Sequence, residues 1–241
     1  PPSMKLPPIQ RFKLSNGLRV VLMEKHEVPL VHVELLVRAG TVTDPPGKEG
    51  WVSLSTSLMQ DGAGTRDALE LADAIDFLGA SIYTSSGYHS CGVSLHTPLS
   101  KFDSALALFS DVVLRPLFPE KELERRRKEL LTELIQWHDE PRTIASVMFG
   151  DAVFGNNHPY GRPSIGNEKS IRGMKIEDVK GFYKKYFSPQ NALIIVVGDV
   201  TENIIKSKFE IVFGKWKGDK IENPPLPKIE QVKERKIYLI D

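Results

Sequence analysis

The chain has a single cysteine, Cys91, in 241 residues. That excludes an internal disulfide and any metal site built on several thiolates. It also lacks an excess of either charge: 32 Lys and Arg stand against 31 Asp and Glu, a formal net charge of +1. Such a balance offers no basic footprint for nucleic acid, and none is expected as a partner. Long apolar runs are missing. Ala192-Leu-Ile-Ile-Val-Val-Gly198 falls far short of the roughly 20 residues that a bilayer-spanning helix needs, so no transmembrane segment is expected. No Gly-x-Ser-x-Gly elbow surrounds Ser53-Leu-Ser-Thr-Ser57, and no Gly-Lys-Ser/Thr follows Gly62-Ala-Gly-Thr65. Neither a serine hydrolase nor a phosphate loop gains local support.

What is present is a 41% hydrophobic chain, enough for one large core or two small ones. Arg11 to Glu24 reads as two short strands around a turn at Asn16-Gly17, and Val31 to Arg38 as a third. Trp51, Leu54, Leu58 and Met59 recur at helical spacing after Gly50, beside a Ser/Thr face. A second helix is expected over 67–78, stopped by Gly79. Strands follow over 80–85 and 89–96, then helices over 101–114, 119–138, 142–154 and 175–186. A buried strand is expected over 191–197, and a last helix, capped by Thr201, to about Phe213. Strands and helices mix without strict βαβ alternation, and several strand pairs look like hairpins, which predicts an α+β fold with a largely antiparallel sheet.

The charged, Pro-containing stretch 216–233 reads as a linker. Lys236 to Asp241 reads as a strand just beginning, and Pro1-Pro2 as a processed or engineered N-terminus. The chain is therefore expected to be the first half of a longer protein, with one domain over 1–215 and the linker and start of a second over 216–241.

Several segments, in order, are similar to one known family. They are Leu14-Ser-Asn-Gly-Leu-Arg-Val, Val37-Arg-Ala-Gly40, Pro46-Gly-Lys-Glu-Gly50, Leu78-Gly-Ala80, Phe118-Pro-Glu-Lys-Glu-Leu-Glu-Arg125, Thr132-Glu133, His158-Pro-Tyr-Gly-Arg-Pro163, Phe182 to Asn191 and Val196-Val-Gly-Asp199. Each is weak alone. Their succession over nearly the whole chain resembles the N-terminal domain of the pitrilysin/insulinase (M16) zinc peptidases, the family that includes mitochondrial processing peptidase. The resemblance implies a six-stranded, mainly antiparallel sheet with flanking helices, normally followed by a second domain of the same fold. It also implies an extracytoplasmic or periplasmic location if the source is bacterial.

In that family the metal helix carries His-x-x-Glu-His. Aligned on Gly50 and Gly62, those positions fall on Ser53, Thr56 and Ser57, which share one helix face. Neutral hydroxyls are poor zinc ligands, and none can act as a carboxylate base at neutral pH. The family's third ligand matches Glu133, 76 positions beyond Ser57, and a second family glutamate matches Arg126. Arg126 and Glu133 lie two helical turns apart on one face. Arg126 either points into the former metal cavity or belongs to a solvated helix face over 125–128. The six histidines (26, 32, 89, 96, 138 and 158) form no evident ligand set. His89 and His96 should point to opposite faces of one strand, His138 suits a helix C-terminus, and His158 suits a loop.

No cofactor and no catalytic residue is therefore expected here, zinc being expected in an active partner. The resemblance implies a zinc-less half or subunit that closes a chamber in a heterodimer with a zinc-bearing M16 peptidase subunit or domain. It would hold peptide substrates by strand addition at an edge formed by Ser81, Ile82, Tyr83, Thr84, Ser85, Ser86 and Gly87. One alternative is a scaffold or assembly protein of peptidase fold. Another is a zinc metalloendopeptidase with an atypical site.

Overall fold

The computed structural model describes residues 7–222, 225–229 and 237. Its strands begin with β1 (Ile9–Lys13), β2 (Arg19–Glu24) and β3 (Leu30–Val37), followed by helix α1 (Trp51–Ser57). A two-residue hairpin, β4 (Gly62–Ala63) with β5 (Arg66–Asp67), leads to α2 (Ala68–Phe77), β6 (Ser81–Ser86) and β7 (Cys91–Pro98). Helices α3 (Phe102–Leu114), α4 (Glu120–Trp137), α5 (Pro141–Phe154), α6 (Glu168–Gly173) and α7 (Ile176–Tyr186) precede β8 (Ala192–Gly198) and α8 (Glu202–Phe213).

The main sheet runs β1-β2-β8-β3-β7-β6. Four of its five pairings are antiparallel and β2–β8 is parallel. The α+β class and the six-stranded, largely antiparallel sheet are thus as expected. Alternation explains why the strands lie as they do. In β3, Val31, Val33, Leu35 and Val37 are buried while His32, Glu34 and Leu36 are only half-buried, so one face enters the core. Helical apolar stripes meet that face, with Phe109 of α3, Phe182 of α7, and Phe209 and Phe213 of α8 fully buried. The first turn forms because Gly17 takes φ +85°. Asn16 locks it by accepting from Leu18 N and donating to the carbonyls of Phe213 and Trp216.

Two local expectations need correction, and two short elements were not expected. His89 lies outside β7, which starts at Cys91, because Gly87-Tyr-His-Ser90 forms the turn, with Gly87 N donating to Ser90 O. Thr201 stands at the N-cap of α8 but its side chain makes no capping bond; Glu24 Oε1 accepts from Glu202 N instead. The hairpin β4–β5 and helix α6 lack a periodic apolar signature because both are short. The start of α6 is nonetheless written in Asn167 and Ser170, which form a reciprocal capping box. Among the described residues after Gly214 there is no helix or strand, and the strand expected over 236–241 lies outside them except for residue 237.

Candidate degenerate metal site and peptide edge

Helix α1 is fixed at both its start and its apolar side. Gly50 opens it at φ +86°, and a Cβ there would stand 2.3 Å from Ile165 O, so glycine lets the helix start against the 164–167 loop. Asp44 supplies the cap that Gly50 cannot: its carboxylate accepts from Gly50 N at 2.8 Å and Val52 N at 2.9 Å. Burial pushes the Asp44 carboxyl up to about 7, against the pull of those two amides. Trp51 Nε1 donates to Asp178 O at 2.7 Å, Lys48 pairs with the Asp178 carboxylate, and the indole packs edge-on against Phe182 and Tyr186 of α7.

The three positions matched to the metal motif carry hydroxyls that are already engaged or enclosed. Ser53 Oγ lies 2.9 Å from Ser86 Oγ and donates to Ser164 O at 2.8 Å. Ser57 Oγ donates back to Leu54 O of its own helix at 2.9 Å. Thr56 is 1% exposed. Its hydroxyl is buried without a regular hydrogen-bond partner, next to the Cys91 thiol, which burial pushes up to about 12. Zinc favours imidazole, thiolate and carboxylate; three neutral hydroxyls, one sealed in the core, do not fit it. Among the described residues no group of three or more His, Cys, Asp and Glu could hold a metal ion.

Helix α4 runs past the end of α1 through a different contact. Arg126 grips Asp61 with Nε at 2.7 Å and Nη2 at 2.9 Å, and Arg125 Nη2 reaches the same carboxylate at 2.9 Å. Asp61 is 5% exposed. Arg126 is therefore neither free in a cavity nor part of an unpaired solvated face. Arg127 ties the same helix to α6 through the carbonyls of Ile171 and Met174. Glu133, two turns further on, is exposed and has no hydrogen bond or ion pair among the described residues. The structure gathers Ser53 with Ser86 and Ser164, but makes no bond between Glu133 and α1.

Strand β6 is the outer strand on one side of the sheet. Its inner edge pairs with β7 from Ser81↔His96 to Ser86↔Cys91, and among the described residues no other backbone pairs with it. Ile82 is buried, Tyr83 is 64% exposed, and no residue of the strand is charged. Gly87 falls outside the free edge, since its carbonyl accepts from Thr41 N at 3.0 Å.

Two cavities adjoin the α4–α5 corner. One, of 920 Å³, is lined mainly by apolar side chains such as Leu131, Leu134, Ile144 and Met148. The other, of 350 Å³, is lined by Tyr88, Trp137, Arg142, Tyr160 and Ser164 among others. Trp137, Thr143, Val147 and Pro163 border both. The loop role expected of His158 has a specific form: Nδ1 accepts from Tyr160 N at 3.1 Å, and Tyr160 OH in turn meets His89 Nε2 at 2.6 Å. Sequence reasoning missed Tyr88, Arg142 and Tyr160 as wall residues. Tyr160 in the 158–163 segment was the available signal for one of them; no sequence pattern marked Tyr88 or Arg142.

Comparison with known proteins bears on the same features. The model of the insulinase family, peptidase family M16, matches residues 19–167, and that of the peptidase M16 inactive domain matches residues 173–241. An uncharacterized zinc protease of Rickettsia bellii is 25% identical over 214 residues, covering 88% of this chain and 52% of that protein. The uncharacterized zinc protease YmxG of Bacillus subtilis is 25% identical over 210 residues, covering 86% and 50%. This chain thus spans about half the length of these relatives. Among solved structures, a peptidase M16 inactive domain from Pseudomonas fluorescens aligns with a TM-score of 0.82 at 26% identity, over 93% of this chain and 53% of that one. Among the described residues no helix is long and apolar enough to cross a membrane.

Proposed function

The chain belongs to the insulinase (M16) family of peptidases, and on that footing we propose that it is a non-catalytic half of an M16 chamber, holding extended peptides for a zinc-bearing partner subunit or domain. The observation that carries the reading is the state of α1. The helix sits in its frame, yet the face matched to His-x-x-Glu-His offers Ser53 bonded to Ser86 and Ser164, Ser57 bonded to its own helix, and Thr56 buried. No side chain there can polarise a peptide carbonyl as a metal would or take a proton from water as the family's glutamate would. What remains useful is the uncharged free edge of β6, whose backbone amides and carbonyls can add a peptide strand.

The test is a cleavage assay on a fluorogenic peptide with this protein alone, a zinc-bearing M16 partner alone, and the two together, alongside metal analysis of each purified protein. This protein alone should give background rates and substoichiometric zinc, and the pair should cleave several-fold faster than the partner alone. One zinc per chain in this protein would sink the reading. A pair no faster than the zinc-bearing partner would leave the scaffold role in its place.

A further inference from the structure

The geometry points to the 350 Å³ cavity beside Ser164 as a subsite for an acidic side chain of an extended peptide lying along β6. The inference rests on the peptide-holding role above and adds the substrate chemistry. Position comes first. Ser86 ends β6, its hydroxyl meets Ser53 Oγ, and Ser53 donates to Ser164 O, while Ser164 and Tyr88 both line the cavity. Tyr88 stands two residues beyond the end of the strand. A peptide added to β6 and continuing past Ser86 runs toward this cavity.

Charge comes second. Among the described residues, two arginines and no acidic residue line the cavity. Arg162 is spent: it pairs with Glu49 at 3.4 Å and donates to the carbonyls of Asn156 at 2.7 Å and Asn157 at 3.1 Å. Arg142 makes no ion pair or side-chain hydrogen bond among the described residues. It carries the unspent charge among the residues that line the cavity, which include Tyr88, Trp137, Tyr160, Thr143 and Ser146. The aromatic walls are fixed. Tyr88 and Tyr160 pack edge-to-face at 5.1 Å, and Tyr160 OH is held by His89 at 2.6 Å. Arg142 is exposed, so its attraction for a carboxylate is the modest one of a surface pair, strengthened by the two-pronged donor that a guanidinium offers that carboxylate. The volume lies at the small end of the range for ligand sites, roughly 300–1,000 Å³, and suits one side chain rather than a folded partner.

The test titrates the full protein with terminally blocked peptides that differ at one position, Glu, Gln or Lys, and with the Gln peptide carrying a free C-terminal carboxylate, followed by fluorescence anisotropy at low salt. The Glu peptide should bind about 5- to 10-fold tighter than the Gln peptide, and the Lys peptide weakest. Arg142→Gln should erase the Glu–Gln gap while leaving Gln affinity within about twofold, and Arg142→Lys should restore part of the gap. Equal Glu and Gln affinity in the wild type overturns the subsite alone, as does a gap that survives Arg142→Gln. A gain shown by the free C-terminus in place of Glu overturns the assignment to a side chain. Failure of every peptide to bind refutes the peptide-holding role and the subsite with it.

Discussion

Asp61 is 5% exposed and carries two guanidiniums on its oxygens, Arg126 through both and Arg125 through one. The arginines are less enclosed than the acid, with 24% and 44% of their side chains exposed, so the partners are not interchangeable. Stripping both arginines strands a carboxylate out of water, whereas removing the carboxylate lets two long side chains swing outward. Arg125→Ala/Arg126→Ala is expected to cost about 3 kcal/mol of unfolding free energy, and Asp61→Ala clearly less. Urea denaturation of the three proteins checks the order, and a larger loss in Asp61→Ala would show that the arginines depend on the acid. This contact also shows why residue spacing misleads at the site. Arg126 and Glu133 share a helix face by count, yet Asp61, four residues beyond Ser57 in the sequence, claims the arginine and leaves the glutamate exposed. Nothing in the pattern of α4 specifies which acid an arginine will meet across a helix junction.

At the scale of elements, α1 depends on a carboxylate outside it. Asp44 bonds two amides of the helix start, and burial, as the main cause, raises its carboxyl from 3.8 to about 7. The sign follows from which form the fold favours. An acid whose folded value lies above its unfolded value favours the protonated form in the fold. Its contribution is fully present below the unfolded value and is lost as pH rises from about 4 through about 7. Wild-type stability relative to Asp44→Asn should therefore fall between pH 4 and pH 7 and level off above, as read by chemical denaturation across that range; a constant difference would show that Asp44 keeps one charge state throughout. The strands and most helices were legible because alternation in β3 and the helical stripes of α3 and α7 are periodic. The Asp44 cap was not, because a side chain reaching six to eight residues ahead leaves no periodic trace, and Asp44-Pro-Pro-Gly47 reads only as a loop. The parallel pairing of β2 with β8 joins strands more than 160 residues apart, which local pattern cannot specify. The enclosure of Thr56 beside Cys91 was equally hidden, since α1 presents Ser and Thr on both its cavity and its core sides.

At the scale of the whole molecule, the sheet has two edge strands with one neighbour each among the described residues, and they differ in kind. On one side, β1 carries Arg11 and Lys13, both exposed, and charged side chains guard an edge against added strands. On the other, β6 reads Ser-Ile-Tyr-Thr-Ser-Ser with no charge at all, and its last residue is tied through Ser53 to the loop that borders the α4–α5 cavities. Strand addition should accordingly choose one side. Hydrogen exchange with a saturating extended peptide is expected to slow the amides within 81–86 that face away from β7 and leave those of 9–13 unchanged, because only amides that face away from an existing neighbour gain a new acceptor. Proline placed at a β6 residue whose N–H points away from β7 should abolish the protection while keeping the pairing with β7 intact. Protection at 9–13 instead would mean that peptides add to β1, whereas protection at 81–86 that survives the proline would mean that peptides are held by side-chain contacts in the cavities and not by the strand edge, so the kinds of recognition separate in a single measurement.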